Sequence, residues 1–177
     1  MRNPEWGGVT PARVAAAIAA MLTALLLQAT LVGPASMSAQ LSLPAVLVGA
    51  VALQSGASTG MSLGFATGLV ADLGSAHPAG VLAACWLAVG VLCGLIVAAG
   101  RPFLAQVVLI GVVCGVAASV ATLLLTALGS SGATVDAAAR ALLPSMLGDV
   151  ALALVVVPTV RWFLRSGALR APSASHG

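Results

Sequence analysis

Few residues of this sequence could do chemistry, and two carboxylates stand out among them. Asp72 and Asp149 are two of only four acidic residues in the chain, and both adjoin apolar runs. Paired carboxylates can act as general acid and base, and a carboxylate inside a membrane can carry a proton. The spacing of these two does not force them together, and no arrangement of His or Ser supports nucleophilic catalysis. We therefore predict no catalytic residues. A small membrane enzyme or a proton-coupled transporter that uses both aspartates stays open as an alternative.

The potential metal ligands are scattered along the chain. Cys85, Cys93 and Cys114 lie inside apolar runs without a CxxC pair, and His77 and His176 stand far apart. A zinc site needs clustered Cys and His ligands. We therefore predict that the cysteines are small apolar packing residues, and we predict neither a metal site nor a cofactor.

The composition indicates that these residues are carried by membrane helices. The chain has 177 residues, of which 60% are hydrophobic and 6% charged, whereas a soluble domain carries about 25% charged residues. Several uncharged runs reach the length of about 18 residues that is typical of a membrane span. The seven basic residues are all arginines, scattered singly, which argues against a nucleic-acid-binding patch. We predict an all-α, polytopic membrane bundle that does not bind nucleic acid.

Glycine and proline divide the chain into six predicted helices within one transmembrane bundle, 14–164. The predicted helices are 14–32, 43–55, 60–73, 80–99, 103–128 and 142–164. Residues 1–13 are predicted to be a cytoplasmic segment, and 165–177 a disordered cytoplasmic tail. The region 43–72 has two interpretations: two short helices that meet near 56–60, or one long tilted helix.

The arginines favour the first of these interpretations. If 43–72 crosses the membrane twice or dips in and returns, both chain ends lie on one side. That side then holds six arginines, and only Arg140 lies on the other. If the region crosses once, three arginines lie inside against four outside. Because cytoplasmic ends collect arginine, we predict a multi-pass protein of the bacterial cell membrane with both termini in the cytoplasm.

Small residues recur at helical spacing just before Asp72. Gly60, Gly64 and Gly68 share one face of a helix, and Gly90/Gly94 and Gly111/Gly115 repeat the spacing. Small residues let membrane helices approach closely, because lipid provides little hydrophobic drive for their association. Two uses remain open: packing inside the bundle, or docking of another protein's helix.

Polar groups are expected at the outer end of the bundle. Asp72 ends the glycine row, and Asp149 lies about two turns into the last predicted helix from the same side. Buried ionisable groups face the bundle interior or water, so we expect both near an outer mouth, with Arg140 as a candidate partner. Gln28, near the outer end of the first helix, is expected to hydrogen-bond a neighbouring helix.

One segment combines several short motifs in a characteristic order. The segment is LSLPAVLVGAVALQSGASTGMSLGFATGLVADLGSAHPAGVLA. It contains a proline-led apolar helix, a small-residue turn, a GF-x-x-GL-x-x-D stretch, and a loop that closes at Gly80. In the order and spacing of these motifs it resembles the bacterial rod shape-determining protein MreD family. The resemblance covers most of the chain and is most specific over 43–84. The positions that match the family are Phe65, Gly68 and Asp72.

The resemblance implies a function and a set of partners. Members of this family are non-enzymatic components of the cell-elongation machinery, or elongasome, and help control rod shape and lateral peptidoglycan synthesis. Their fold is similar to the six-helix substrate-binding subunits of energy-coupling-factor vitamin transporters. The implied partners are an MreC-like bitopic membrane protein, a RodA-type glycosyltransferase, a class B penicillin-binding protein and, where present, the actin-like MreB. The predicted partner or packing residues are Gly60, Gly64, Phe65, Gly68, Asp72 and Asp149.

A vitamin-transporter binding subunit is the alternative function. Such a subunit needs a cavity lined by aromatic and polar side chains. The chain has no Tyr, three Phe and three Trp, and few polar groups within its apolar runs. The scaffold function is therefore preferred.

Overall fold

The structure is a computed structural model that describes residues 11–32, 41–75, 78–129 and 135–165. Within these ranges the chain forms helices and their connections, with no strand, which confirms the all-α prediction. The helices are α1 Pro11–Leu27, α2 Leu43–Ser55, α3 Ala57–Leu73, α4 Val81–Ala98, α5 Phe103–Ala127 and α6 Val135–Arg165. A π-helical turn, Gln28–Val32, continues α1. The predicted disordered tail and most of the predicted N-terminal segment lie outside the described residues.

Three helical segments are long and apolar enough to cross a membrane. They are Val81–Ala98, Phe103–Ala127 and Ala139–Phe163, with mean hydropathies of 2.6, 2.6 and 2.0. Shorter apolar segments cover Ile18–Thr30 and Leu43–Ser55. These lengths are compatible with a membrane protein. Since α2 has 13 residues, it is only about 20 Å long, against about 30 Å for a typical hydrocarbon core.

The region 43–72 contains two helices that meet at Gly56. This residue has φ +89° and ψ 172°, a backbone conformation that is essentially restricted to glycine. Its N–H donates to the carbonyl oxygen of Ala52 at 2.8 Å, which ends α2. The helix α3 begins at the next residue, Ala57, so the break is one residue rather than the predicted stretch 56–60.

The last helix begins at Val135, about two turns before the predicted start at 142. Charged residues extend it beyond its apolar part. Asp136 lies in the first turn, where a negative charge interacts favourably with the helix dipole, and its carboxylate contacts Arg140 at 2.6 Å. Arg140 is therefore the partner of Asp136, and not of Asp72 or Asp149 as expected. Both side chains of this pair are largely exposed.

The central helix of the bundle is α2, which contacts each of the other five described helices. Eight of its 13 residues are buried. Gly49 is one of them, and a Cβ there would meet Cys93 of α4 and Ile110 of α5. The three cysteines are free and buried.

Four of the remaining five described helices form two antiparallel pairs. In the first pair, α3 and α4, the backbones touch along the predicted glycine rows. A Cβ on Gly60, Gly64 or Gly68 would lie closer than 3.0 Å to a backbone atom of α4. The predicted glycine row on α4 packs against α3. A Cβ on Gly90 would collide with the backbone of Gly60, and one on Gly94 with that of Ala57.

The second pair, α5 and α6, uses the third glycine row in the same way. A Cβ on Gly111 would collide with the backbone of Val150, and one on Gly115 with that of Met146. At the end where α5 begins and α6 ends, the Arg161 guanidinium lies 4.8 Å from the ring centroid of Phe103. The three glycine rows are therefore occupied by the chain's own helices.

Candidate functional site

The predicted site residues separate into a buried set and an exposed residue. Gly60, Gly64 and Gly68 are buried between α3 and α4. Asp72 and Asp149 are also buried, whereas Phe65 is 46% exposed. The structure does not pair the two aspartates, because each binds the N-terminus of a different helix.

Asp72 caps the N-terminus of α4. Its Oδ2 accepts hydrogen bonds from the N–H groups of Gly80 (2.8 Å) and Ala83 (3.0 Å), and its Oδ1 accepts one from Leu82 (3.2 Å). The first N–H groups of a helix have no partner inside the helix, and they carry the positive end of its dipole. Asp72 thus ties the C-terminal end of α3 to the start of α4.

Asp149 performs a related role for α2. The N–H of Ser42, the residue before α2, donates to Oδ1 of Asp149 at 3.0 Å. The side chain is fully buried, and its other oxygen, Oδ2, has no hydrogen-bond partner among the described residues. This is a costly arrangement for a carboxylate, since a buried charge needs compensating partners.

Gln28 completes the attachment of this segment. Its Nε2 donates to the carbonyl oxygen of Leu41 at 2.6 Å, and its Oε1 accepts from the N–H of Leu43 at 2.9 Å. The expected hydrogen bond from Gln28 to a neighbouring helix is therefore confirmed. Three side-chain hydrogen bonds, two with Gln28 and one with Asp149 of α6, hold residues 41–43 at the start of α2. We call residues Gln28, Ser42 and Asp149 the α2 latch.

The α2 latch lies deep in the bundle and not at its outer mouth. Asp149 is adjacent to Val150, which packs against Gly111, while Met146 packs against Gly115. This places Asp149 level with the middle of the 25-residue helix α5. The early start of α6 explains the difference from the prediction, because Asp149 follows fourteen residues of helix.

Only part of the α2 latch is recognisable from residue types. Asp149 and Gln28 are visible as polar residues within apolar runs. Ser42 falls in a predicted loop, and it takes part through its backbone N–H, which any residue except proline provides. The one available hint is its position, two residues before Pro44, where a helix N-cap is expected.

One exposed stripe of α3 is apolar. Phe65 and Leu69 follow Gly64 and Gly68 directly, and with Met61 they form an exposed row at i, i+4 spacing; we call Met61, Phe65 and Leu69 the α3 outer row. A second apolar surface is a groove of about 390 Å³ between α4 and α5. It is lined by alanine, valine, leucine and cysteine side chains of both helices.

The described carboxylates bind helix starts or a neighbouring arginine and do not cluster. No group of three or more His, Cys, Asp and Glu residues that could hold a metal ion occurs in the described ranges. The described carboxylates have separate partners: Asp72 binds α4, Asp136 binds Arg140, and Asp149 binds the segment before α2.

Comparison of the chain with protein-family models, curated proteins and solved structures finds no match in any of the three. Its function is therefore inferred from the contacts of its own residues.

Proposed function

We propose that this protein is a non-enzymatic, multi-pass component of the bacterial cell membrane that scaffolds the cell-elongation machinery, as the MreD family does. Its direct partner would be the single transmembrane helix of an MreC-like protein. Through that partner it would join a RodA-type glycosyltransferase and a class B penicillin-binding protein. Recognition would take place within the bilayer, through contacts between helices.

The residues that carry the resemblance to MreD form one connected unit, which supports the proposal. Pro44 lies in the first turn of α2, and Gly56 ends that helix. The Gly64 and Gly68 positions bring α3 against α4, and Asp72 fixes the start of α4. The order of the motif thus matches a helix, a break and a capped helical hairpin.

The observation that carries the proposal is that the GF-x-x-GL-x-x-D stretch has a buried face and an exposed face. Gly64, Gly68 and Asp72 all face the interior, whereas Phe65 and Leu69 are 46% and 37% exposed. Packing inside the chain accounts for the first three residues and leaves the exposed Phe and Leu without a role within the chain. Aromatic side chains are enriched at the centres of interfaces, so we assign the α3 outer row to the partner helix.

The proposed topology has six spans with both ends in the cytoplasm, a fold similar to the vitamin-binding subunits. The antiparallel pairs α3–α4 and α5–α6 and the contact of Arg161 with Phe103 support it, since they place the end of α6 beside the start of α5. The short helices α2 and α3 would cross as a pair, with α2 shielded from lipid by its neighbours. Arg101, Arg161 and the N-terminal arginines would then share the cytoplasmic face.

No contact of the described residues favours the vitamin-transporter function. The groove between α4 and α5 is lined by apolar side chains, and so is a smaller groove of about 110 Å³ between α1 and α3, apart from Thr67. Such surfaces suit lipid or an apolar helix better than a vitamin with several polar groups.

Co-purification with the MreC-like partner tests the proposal. Phe65→Ala combined with Leu69→Ala should weaken recovery of the partner about tenfold, which corresponds to about 1.4 kcal/mol of binding free energy. The matched control is Leu95→Ala with Leu104→Ala, which removes two exposed leucines on other helices. The proposal requires full recovery with the control. Equal recovery with both double variants would contradict it.

A further inference from the structure

We propose that Asp149 is a proton-binding site: the folded protein holds a neutral carboxylic acid at this position, with the proton on Oδ2. The inference is independent of the scaffold function. It rests on the contacts of the α2 latch and on the depth at which the latch lies.

The two oxygens of Asp149 have different surroundings. Oδ1 accepts the N–H of Ser42 at 3.0 Å, a bond that the carbonyl oxygen of a neutral acid can also accept, although more weakly than a carboxylate does. Oδ2 is buried, and no residue in the described part of the chain hydrogen-bonds to it. A carboxylate would leave a charged acceptor bare at that oxygen, whereas a carboxylic acid leaves only a neutral hydroxyl there.

The contrast with Asp72 shows how incompletely Asp149 is compensated. The carboxyl group of Asp72 accepts three backbone N–H groups at the start of α4. Within the described residues, that of Asp149 accepts one, although its side chain is at least as deeply buried. One hydrogen bond and the dipole of the short α2 offset only a small part of the cost of a charge in hydrocarbon. Taking a proton from water as the bundle closes removes that cost.

Within the described ranges, the charged and titratable groups around Asp149 do not supply a counter-charge. On α5 the nearest such group is the buried thiol of Cys114. From α1 and α2 come the Gln28 amide and the Ser42 N–H, which are uncharged. On α6 itself, Arg140 binds Asp136 and Arg161 lies over Phe103.

A metal cation is a poorer occupant than a proton. Sodium or calcium would need several oxygen ligands around Oδ2. The carbonyl oxygen of Leu41, the residue before Ser42, already accepts the Gln28 amide. A proton needs only the one oxygen.

Isotope labelling tests the assignment directly, because the chain has only three aspartates. The protein is labelled with ¹³C at the aspartate carboxyl carbon, reconstituted into phosphatidylglycerol–phosphatidylethanolamine vesicles at neutral pH, and measured by solid-state NMR and isotope-edited infrared spectroscopy. We expect one of the three labelled carboxyls to give the signal of a protonated acid. It should be lost in Asp149→Asn and kept in the matched control Asp136→Asn.

Three outcomes would overturn the proposal. One is the absence of an acid signal in the unsubstituted protein, as expected if water or a cation satisfies Oδ2. Another is an acid signal that disappears in Asp136→Asn and not in Asp149→Asn. The third is a signal of Asp149 that shifts when sodium replaces a bulky organic cation.

Thermal unfolding supplies a second readout that does not depend on labelling. The amide of Asp149→Asn keeps an acceptor for Ser42 and places a neutral donor where the acid has its hydroxyl. We therefore expect the midpoint temperature of unfolding of this variant to stay within a few degrees of that of the unsubstituted protein. Asp149→Leu leaves the Ser42 N–H unpaired, so its midpoint temperature should fall much further. A loss in Asp149→Asn as large as in Asp149→Leu would contradict a neutral acid. If neither variant folds, the acid signal of the unsubstituted protein decides.

Discussion

At the scale of single residues, the buried polar groups act as caps for helix ends. Asp72 binds three N–H groups at the start of α4, and it is 2% exposed. In Asp72→Ala these donors lose their acceptor in a buried setting. Since each buried unsatisfied group costs about 1–3 kcal/mol, we expect a loss of about 3 kcal/mol or more in unfolding free energy. Unfolding in detergent, followed by circular dichroism, measures it.

Asp136→Ala is the control for this substitution. It removes a carboxylate of the same size that is exposed and paired with Arg140. An exposed ion pair of this kind contributes about 0–1 kcal/mol, so the control should change stability little. If both variants lost the same stability, the capping role of Asp72 would be refuted.

The residues of the α2 latch show how far sequence reasoning reaches at this scale. A glutamine or an aspartate within an apolar run is predicted to be buried and to have a hydrogen-bond partner. The hydrogen bonds of Gln28 agree with this prediction. Their partners cannot be predicted from the sequence, because the backbone N–H groups that they bind are present in every residue type except proline. The predicted depth of Asp149 is wrong because the charges of Asp136 and Arg140 suggest a loop where the structure has a helix.

At the scale of elements, close contact between α3 and α4 depends on the absence of side chains. A Cβ at position 64 would lie closer than 3.0 Å to the carbonyl oxygen of Trp86. Backbone cannot move aside as a flexible side chain can, so Gly64→Ala must push the helices apart. We expect a loss of about 1–3 kcal/mol, as for other overpacked sites. The effect should appear as a lower midpoint of thermal unfolding.

Gly74→Ala is the matched control, because the same methyl group would meet carbonyl oxygens only at 3.7 Å, an ordinary contact. Its φ of −85° is also open to alanine. Stability equal to that of the unsubstituted protein is expected. A Gly64→Ala variant as stable as this control would show that the two helices do not need their close backbone contact.

The junction between α2 and α3 depends on a different property of glycine. A Cβ added at Gly56 would have nothing within 4 Å, yet the φ of this residue is +89°. Gly56→Ala should therefore be destabilised by backbone strain alone, by about 1–3 kcal/mol. Ser55→Ala, at the exposed neighbouring position, should not be. Equal unfolding midpoints for the two variants would mean that the break does not need glycine.

The helices themselves are largely predictable from the sequence. Runs of apolar residues between glycine and proline breaks place α2 at its observed bounds and α5 to within one residue. Hydrophobic patterning cannot place the start of α6, since there the helix is stabilised by a charge near the dipole and an i, i+4 ion pair. Nor can it decide what the glycine rows bind, because small-residue spacing is the same for an internal and an external partner.

At the scale of the whole molecule, the arrangement of the pairs predicts which loops share a membrane face. The connections at Ala79 and Arg101 lie at opposite ends of α4, and both residues are exposed. With both chain ends in the cytoplasm, Ala79→Cys should react with a membrane-impermeant maleimide in intact spheroplasts. Arg101→Cys should react only after permeabilisation, and the buried native cysteines should remain silent.

The reverse labelling pattern would place the chain ends outside, and labelling of both positions in intact cells would mean that α4 does not cross. The arginine distribution is the sequence property on which this topology rests.

The two capped helix starts differ in when they can form during synthesis. Asp72 is 8 residues from Gly80, so its hydrogen bond closes almost as soon as that stretch has left the ribosome. Ser42 and Asp149 are 107 residues apart, a length of chain that translation covers in roughly 5–20 s. During that interval the start of the central helix lacks the hydrogen bond to Asp149. A nascent chain truncated before residue 149 could not form this hydrogen bond, so its central helix would stay uncapped and exposed to quality-control proteases.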